Sequence, residues 1–560
     1  MRIRERGRAA MAGALGAMLL AIALVAGACS GPADGPAGGS VTPISPPAAG
    51  GGPPAGTAGT PGAFVSPGGG SSGGGPPVAT VAPGGGAGGV GTGPGSGLPT
   101  ALPRPGPFTA TVVVHASARP LGAIGDRYTG LSFESGTLNS GQFTATGNLP
   151  RLLRNLGPAL MRFGGLTADQ AAFTGISPGA LAGLAALARA SGWQVIYSEN
   201  LGHFNAAAVR ADARAVAGAL GPHLAAIGCG NEPDGFPVDR LRPKDYTVGD
   251  YLTEADACLA AVRAGAPRAP LEGADLTGAR DWLSAYAARE KGRLAIIGQH
   301  LYGAGCVRNY AGLAPQVADA ALLSPSIVTK KEIPAFQWLV ADAASAGARP
   351  VISEVNSVCS GGLPGVSNSF AAALWSINFM LTGAEHGVTG VNFHGGLTGG
   401  LSTSGLTSTG DCFYYSALCP TPGDPGHFTI RPLYYGLLFT HLLGAGAMLP
   451  VTVGASAPRA YVTAFAVRPA SGGTRVMLEN MTGSPATIAL DPGTGPRAVD
   501  VTRLTAPGLT ATSGLRIAGA SVGPDGAFTP GRPLRVACPA GRCRVLLAPF
   551  TAAIVATSAS

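Results

Sequence analysis

Charge is scarce in this chain of 560 residues: only 12% of positions are Asp, Glu, Lys or Arg, about half the usual share of a soluble domain. The Arg and Lys are scattered rather than gathered in a stripe, and no nucleic-acid motif is present, which argues against DNA or RNA as a partner. The net charge of +8 therefore reads as an ordinary Arg-rich surface, with attraction to an anionic polysaccharide as the alternative. No apolar run beyond the first thirty residues is long enough to span a bilayer. The histidines lack carboxylate or Cys neighbours at zinc-ligand spacing, so no metal and no other cofactor is expected. From Ser30 to Pro107 the chain has almost no charge and few large apolar residues, only Gly, Pro, Ser, Thr and Ala in quantity. Such a stretch cannot bury enough surface to offset its chain entropy and is expected to be a disordered tether.

What is present begins with a compartment signal over residues 1–29. Arg2, Arg4, Arg6 and Arg8 precede an apolar stretch from Ala9 to Ala28, and Ala26-Gly27-Ala28 leads into Cys29. That is the order of a secretory signal. Its end resembles a bacterial lipobox with Cys29 as the lipidation candidate; cleavage after Ala28 and an uncleaved anchor are the alternatives. All three place the rest of the chain outside the cytoplasm, with membrane contact only through this segment. Setting Cys29 aside leaves eight cysteines, an even number suited to an oxidising compartment. Cys412 with Cys419 and Cys538 with Cys543 are close in sequence, although spacing alone leaves the connectivity open.

After Pro107, apolar strands alternate with amphipathic helical runs. The strand-like segments are Thr129–Glu134, Ala159–Gly165, Gln194–Gly202, Leu224–Asp234, Leu271–Leu276, Ala295–Tyr302, Pro350–Asn356 and Gly387–Gly396. Eight strand–helix alternations, each strand nearly all apolar, predict an α/β fold: a (β/α)8 TIM barrel over 126–444. Short strands broken by Gly, Pro and Ser turns follow, predicting a C-terminal all-β sandwich of 445–560 joined by 108–125. Given that fold, Cys229 can meet Cys258 and Cys306 can meet Cys359.

Polar residues gather at the C-terminal ends of the barrel strands, where barrels build active sites. Glu232, in GNEPDG, and Glu354, in SEVN, end the fourth and seventh strands. Two carboxyl groups meeting across a barrel mouth are what glycoside cleavage with retention requires. Glu232 is the candidate acid/base and Glu354 the candidate nucleophile. Asn231 is a candidate partner for a sugar 2-OH, with Arg162 and the Tyr302 hydroxyl as candidates to keep Glu354 ionised.

These segments resemble glycoside hydrolase family 79, which includes β-glucuronidases and heparanase and belongs to the large clan with catalytic Glu on strands four and seven. GNEPDG and SEVNSVCSGG are similar to its acid/base and nucleophile segments. SFE (Ser132–Glu134), NLGPALMRFGG (Asn155–Gly165), HLY (His300–Tyr302), VNFHGG (Val391–Gly396) and RPLYYG (Arg431–Gly436) also match. The likeness runs from Thr129 to the end and implies a barrel with a β-sandwich, a retaining mechanism and no metal. Leu166-Thr167 and Ser198-Glu199, near the expected sugar pocket, depart from the family pattern. The candidate substrate-binding residues are Glu134, Arg162, Asn231, His300, Tyr302, Asn356 and His394, with N–H donors from the Gly-rich run Gly395–Gly405. The expected activity is removal of a terminal uronic acid from an anionic glycan. The alternatives are a clan relative of other specificity, whether endo-acting on a heparan-type chain or acting on a neutral sugar, and a non-catalytic carbohydrate-binding surface protein.

Overall fold

The computed structural model of the chain describes residue 99 and residues 101–398, 408–409 and 412–557. The expected signal segment, Cys29 and nearly all of the expected tether lie outside the described residues.

Eight parallel strands form the barrel: β1 (Thr129–Glu134), β2 (Leu160–Gly164), β3 (Gln194–Glu199), β4 (Leu224–Cys229), β5 (Glu272–Leu276), β6 (Ile296–Leu301), β7 (Arg349–Val355) and β8 (Gly390–His394). Their order is 4-3-2-1-8-7-6-5. A parallel bridge between Ile227 and Leu271 closes the ring between β4 and β5. All eight segments read as strands fall here. They are buried on both faces, which is why apolar residues run through them without alternation. Leu160, Ile196, Ala226, Ile296 and Val351 fill the bottom of the barrel as a dry layer. Above it the interior turns polar, with Arg162, Ser198, Asp275, Ser353 and His300 all buried.

The connecting helices are started by local chemistry. Thr247 and Asp250 form a capping box at the head of Val248–Gly265, and Ser369 caps Phe370–Glu385. Each satisfies backbone N–H groups that the first turn leaves without partners. Phe370–Glu385 is buried along nearly its whole length, so it reads as uniformly apolar rather than amphipathic.

Two sheets stack into the β-sandwich. One has the order Val451–Ala455, Phe108–Val114, Ala486–Asp491, Cys543–Leu547. The other is built mainly on Val462–Arg468, Arg475–Asn480, Thr551–Ala556 and Ala498–Thr505. Phe108–Val114, which precedes the barrel in sequence, runs parallel to Ala486–Asp491 and antiparallel to Val451–Ala455. Its alternating burial puts Phe108, Ala110, Val112 and Val114 into the core between the sheets.

Four disulfides are formed: Cys229–Cys258, Cys306–Cys359, Cys412–Cys419 and Cys538–Cys543. The first ties the end of β4 to helix Val248–Gly265, and the second joins the loops that follow β6 and β7. Among the described residues, no helix is long and apolar enough to cross a membrane.

Ile488 is fully buried in the sandwich core. Ile488→Ala is expected to lower the unfolding free energy by about 2–5 kcal/mol, read by chemical denaturation; an unchanged midpoint would mean that this core is not packed as described.

Candidate active site

The centre of the barrel mouth is a buried cation. Arg162, on β2 and fully shielded from solvent, donates from Nε and Nη2 to Asp275 Oδ2 (3.1 and 2.9 Å). Nη1 donates to Glu354 Oε2 and to Ser132 Oγ, each at 3.0 Å. Nη2 also donates to Asn231 Oδ1 (2.8 Å) and lies 3.1 Å from His300 Nε2. The glycines after Arg162 make this possible. A Cβ on Gly164 would fall 2.5 Å from the guanidinium carbon, and one on Gly165 would fall 2.5 Å from the Glu134 carboxyl.

Glu354, near the end of β7, takes a second hydrogen bond from the Tyr302 hydroxyl at 2.9 Å. Burial alone would raise its pKa. The nearby His394, His300 and Arg162, with the Tyr302 bond, outweigh that and hold it down at about 2. Glu232 follows β4 in the left-handed region (φ 52°), a conformation costing of order 1–3 kcal/mol in a non-Gly residue. Its N–H donates to the Asp275 carbonyl at 2.8 Å. Its side chain is 22% exposed and accepts from His300 Nδ1 at 2.8 Å. Burial raises the Glu232 pKa; the His300 bond opposes the shift and the Glu354 charge adds to it, leaving it above the ordinary carboxyl value. Two acids at one mouth are thus driven in opposite directions.

An oxygen of Glu232, an oxygen of Glu354 and a ring nitrogen of His300 lie within 4.8 Å of one another. Three donors at that spacing could hold a metal ion. Here, however, the Arg162 guanidinium 3.0 Å from Glu354 already supplies the positive charge and would repel a cation.

His300 accepts from Arg162 through Nε2, so its proton sits on Nδ1 and points to Glu232. Burial lowers its pKa, but the charge of Glu354 and the bond to Glu232 prevail and it stands above the usual value. His394 lies 3.1 Å from Ser132 Oγ and 3.3 Å from Glu134 Oε1. Glu134 Oε2 accepts from the N–H and hydroxyl of Thr167 at 2.8 and 2.6 Å. Asn231 Oδ1 is held by Arg162 and the Gly165 N–H, which leaves its NH2 group for a ligand. The candidates Glu134, Arg162, Asn231, His300, Tyr302 and His394 therefore come together around the two glutamates.

Asn356 does not open onto them. It is fully buried, its Nδ2 donating to the carbonyls of His394 (2.7 Å) and Tyr415 (3.0 Å). It splices the loops after β7 and β8. In the Gly-rich run, two described N–H groups are already used, Gly395 by the Ser132 carbonyl (2.9 Å) and Gly396 by Ser416 Oγ (2.8 Å); residues 399–407 lie outside the described residues. Arg431 donates to the carbonyls of Phe413 and Tyr414. Glu199 points outward from β3 into a cavity of about 230 Å³ with His203 and Asp212, away from the mouth, because strand alternation sends Ser198 inward instead.

The chain is similar to glycosidases. No family model matches the sequence. A β-glucuronidase of Aspergillus niger is 27% identical over 198 residues, a match that spans 31% of this chain and about a third (35%) of that protein. Among solved structures, a 4-O-α-L-rhamnosyl-β-D-glucuronidase from Fusarium oxysporum in complex with Rha-GlcA superimposes with a TM-score of 0.62 and 20% identity, covering 80% of this chain and 100% of its own. A family 51 α-L-arabinofuranosidase of Bifidobacterium longum reaches 0.59 at 14% identity, over 80% and 99% of the two chains. The structural likenesses establish the fold.

Three residues escaped the reading of the sequence as parts of the site. Asp275, on β5, anchors Arg162 and carries the Glu232 backbone. Asp169 accepts the N–H groups of Leu201 (2.8 Å), Gly202 (2.7 Å) and Asn231 (2.6 Å), tying together the loops after β2, β3 and β4. Burial raises its pKa to about 6 against those bonds. Tyr415 packs edge-on against His394, ring centroids 5.9 Å apart.

Arg162→Ala would strand the charges of Asp275 and Glu354 in the interior. A loss of about 3–5 kcal/mol in unfolding free energy is expected, measured by denaturant titration; a loss below about 1 kcal/mol would show that the guanidinium is not what balances them.

Proposed function

We propose that the chain is a retaining glycoside hydrolase of the clan that sets its catalytic Glu on strands four and seven. Glu232 is its acid/base, Glu354 its nucleophile, and a terminal uronic acid its substrate. The observation that carries this reading is the pair itself: carboxylate oxygens within 4.8 Å of each other, the pKa of one acid held down and that of the other raised. Retention needs carboxyl groups about 5–5.5 Å apart, whereas inversion needs roughly 6.5–9.5 Å to admit a water between them.

In the first step, Glu354 attacks the anomeric carbon while Glu232 passes its proton to the departing glycosidic oxygen, leaving a glycosyl ester on Glu354. Glu232, now ionised, then takes a proton from water. That water attacks the same carbon, and the ester bond breaks to return Glu354 as a carboxylate. Asn231 NH2 offers a hydrogen bond to the sugar 2-OH that strengthens as charge develops on the ring. Arg162 and Tyr302 are positioning residues that keep Glu354 ionised. Uronic acid specificity rests on the resemblance of the motifs and on the fungal β-glucuronidase relative. The four disulfides support an oxidising, extracytoplasmic location, and the basal fold organisation (barrel 126–444, sandwich 108–125 with 445–560) gives the site its scaffold.

Glu354→Gln is expected to abolish turnover. Glu232→Ala should lose roughly 10²–10⁴-fold on poor leaving groups, with much less loss on activated aryl glycosides; equal losses on both would undo the assignment of roles. A panel of aryl β-glucuronide, glucoside, xyloside and arabinoside tests the sugar, and faster cleavage of a neutral glycoside would reject the uronate.

The pH profile of kcat/KM should be bell-shaped. Activity needs Glu354 ionised and Glu232 protonated. It therefore falls on the acid side only as pH drops towards about 2, and on the alkaline side as pH rises through the elevated pKa of Glu232. An alkaline limb at or below the ordinary Glu value would contradict the acid role.

A further inference from the structure

Beside the two glutamates lies a cavity of about 1130 Å³. His300 and Tyr302, which hold Glu232 and Glu354, form one wall. Arg308, Lys330, Lys331 and Trp338 form the other. The described lining holds three cations and no carboxylate. None of the three has an ion-pair partner among the described residues, and all three are exposed.

The local backbone sets them there. Val328–Glu332 is a π-helical turn, a wide form of helix that recurs at functional sites, and it turns two consecutive lysines to the same cavity. The one acid in that turn, Glu332, is fully buried beneath, accepting from Trp375 Nε1 at 3.0 Å, so it cannot neutralise them. Trp338 is 36% exposed and carries Arg280 stacked on its ring, the guanidinium carbon 5.0 Å from the centroid. An exposed indole offers a flat apolar face to a sugar ring. The Cys306–Cys359 disulfide and the Cys359 N–H bond to the Gly305 carbonyl (2.9 Å) fasten this wall to the loop that follows β7, the strand that carries Glu354.

The cavity is lined by His300 and Tyr302 but not by Asn231, Glu134 or His394. Its lining includes Thr277, which donates to Asp234, two residues after the acid/base. It therefore flanks the side from which Glu232 would protonate a leaving group.

We infer that this cavity is a leaving-group subsite for an anionic saccharide, one whose carboxylate or sulfate groups are met by Arg308, Lys330 and Lys331 while Trp338 supports a sugar ring. The inference rests on the proposed hydrolase reading for its orientation, and it makes the glycan anionic beyond the sugar that is cleaved. Lysine offers a point charge and arginine a planar fork, and both suit carboxylate and sulfate oxygens.

The test is direct binding to the full chain carrying Glu354→Gln, by calorimetry at low salt. The probes are a sulfated heparin-derived tetrasaccharide, an oligogalacturonate tetrasaccharide and neutral cellotetraose. At least one anionic probe should bind roughly tenfold more tightly than the neutral one. Adding Arg308→Ala, Lys330→Ala and Lys331→Ala should erase that preference while the neutral probe is bound as before. Which anionic probe wins separates sulfate from carboxylate recognition. Three outcomes would overturn the inference: no anionic preference, a preference that survives the triple substitution, or equal affinity for a short polyphosphate. Competition by free glucuronate would also overturn it, by moving the site onto the reacting sugar. Because no bond is cleaved in this assay, it can fail while the aryl glycoside screen succeeds, and the reverse.

Discussion

One guanidinium organises the barrel mouth. Arg162 sits inside a closed barrel, out of contact with water, where a charge persists only if it is paired and hydrogen-bonded. Two carboxylates and three neutral partners meet that requirement. What they give in return is asymmetry. Glu354 faces the cation directly and stays ionised. Glu232 lies beyond His300, whose Nε2 is tied to Arg162 and whose Nδ1 proton therefore points outward. The same charge holds the carboxamide oxygen of Asn231, so the amide presents its donor side. Two glutamates of identical chemistry acquire different behaviour: burial raises Glu232, while His394, His300 and Arg162 together hold Glu354 down.

The parts of this arrangement that could be read from the sequence are those that repeat. Each barrel strand is buried on both faces and so appears as an apolar run. The polar residue that interrupts the end of such a run marks the mouth, which is how Glu134, Arg162, Glu232, His300 and Glu354 came into view. Parts that depend on one loop meeting another left no such mark. Asp169 looks like any loop aspartate, although three N–H groups from two other loops converge on it. Asn356 resembles a sugar-binding amide because it follows the β7 glutamate, yet both of its donor contacts go to backbone carbonyls. Gly395 and Gly396 suggested free N–H groups, but only the fold shows that Ser132 and Ser416 consume them. Side-chain-to-backbone bonds of this kind have no period, and so no pattern in sequence.

The cationic wall was hidden for a different reason. Arg308 stands apart from the consecutive Lys330 and Lys331 in a chain where charge is thin and scattered, and nothing in the spacing groups it with them. A π-helical turn and a disulfide between neighbouring loops bring them together. Composition predicted a bland basic surface; topology concentrates part of that charge at a single place beside the glutamates.

Strand Phe108–Val114 couples the earliest part of the folded unit to nearly its last. It lies parallel to Ala486–Asp491, and every barrel strand is made in between. Emerging from a ribosome or an export channel, it has no sheet to join until almost all of the chain has followed. Contacts of such long sequence separation form slowly, so until then Val112 and its neighbours present an unpaired, apolar edge. The nascent protein must keep that edge from other chains for as long as its own final strands are still to come.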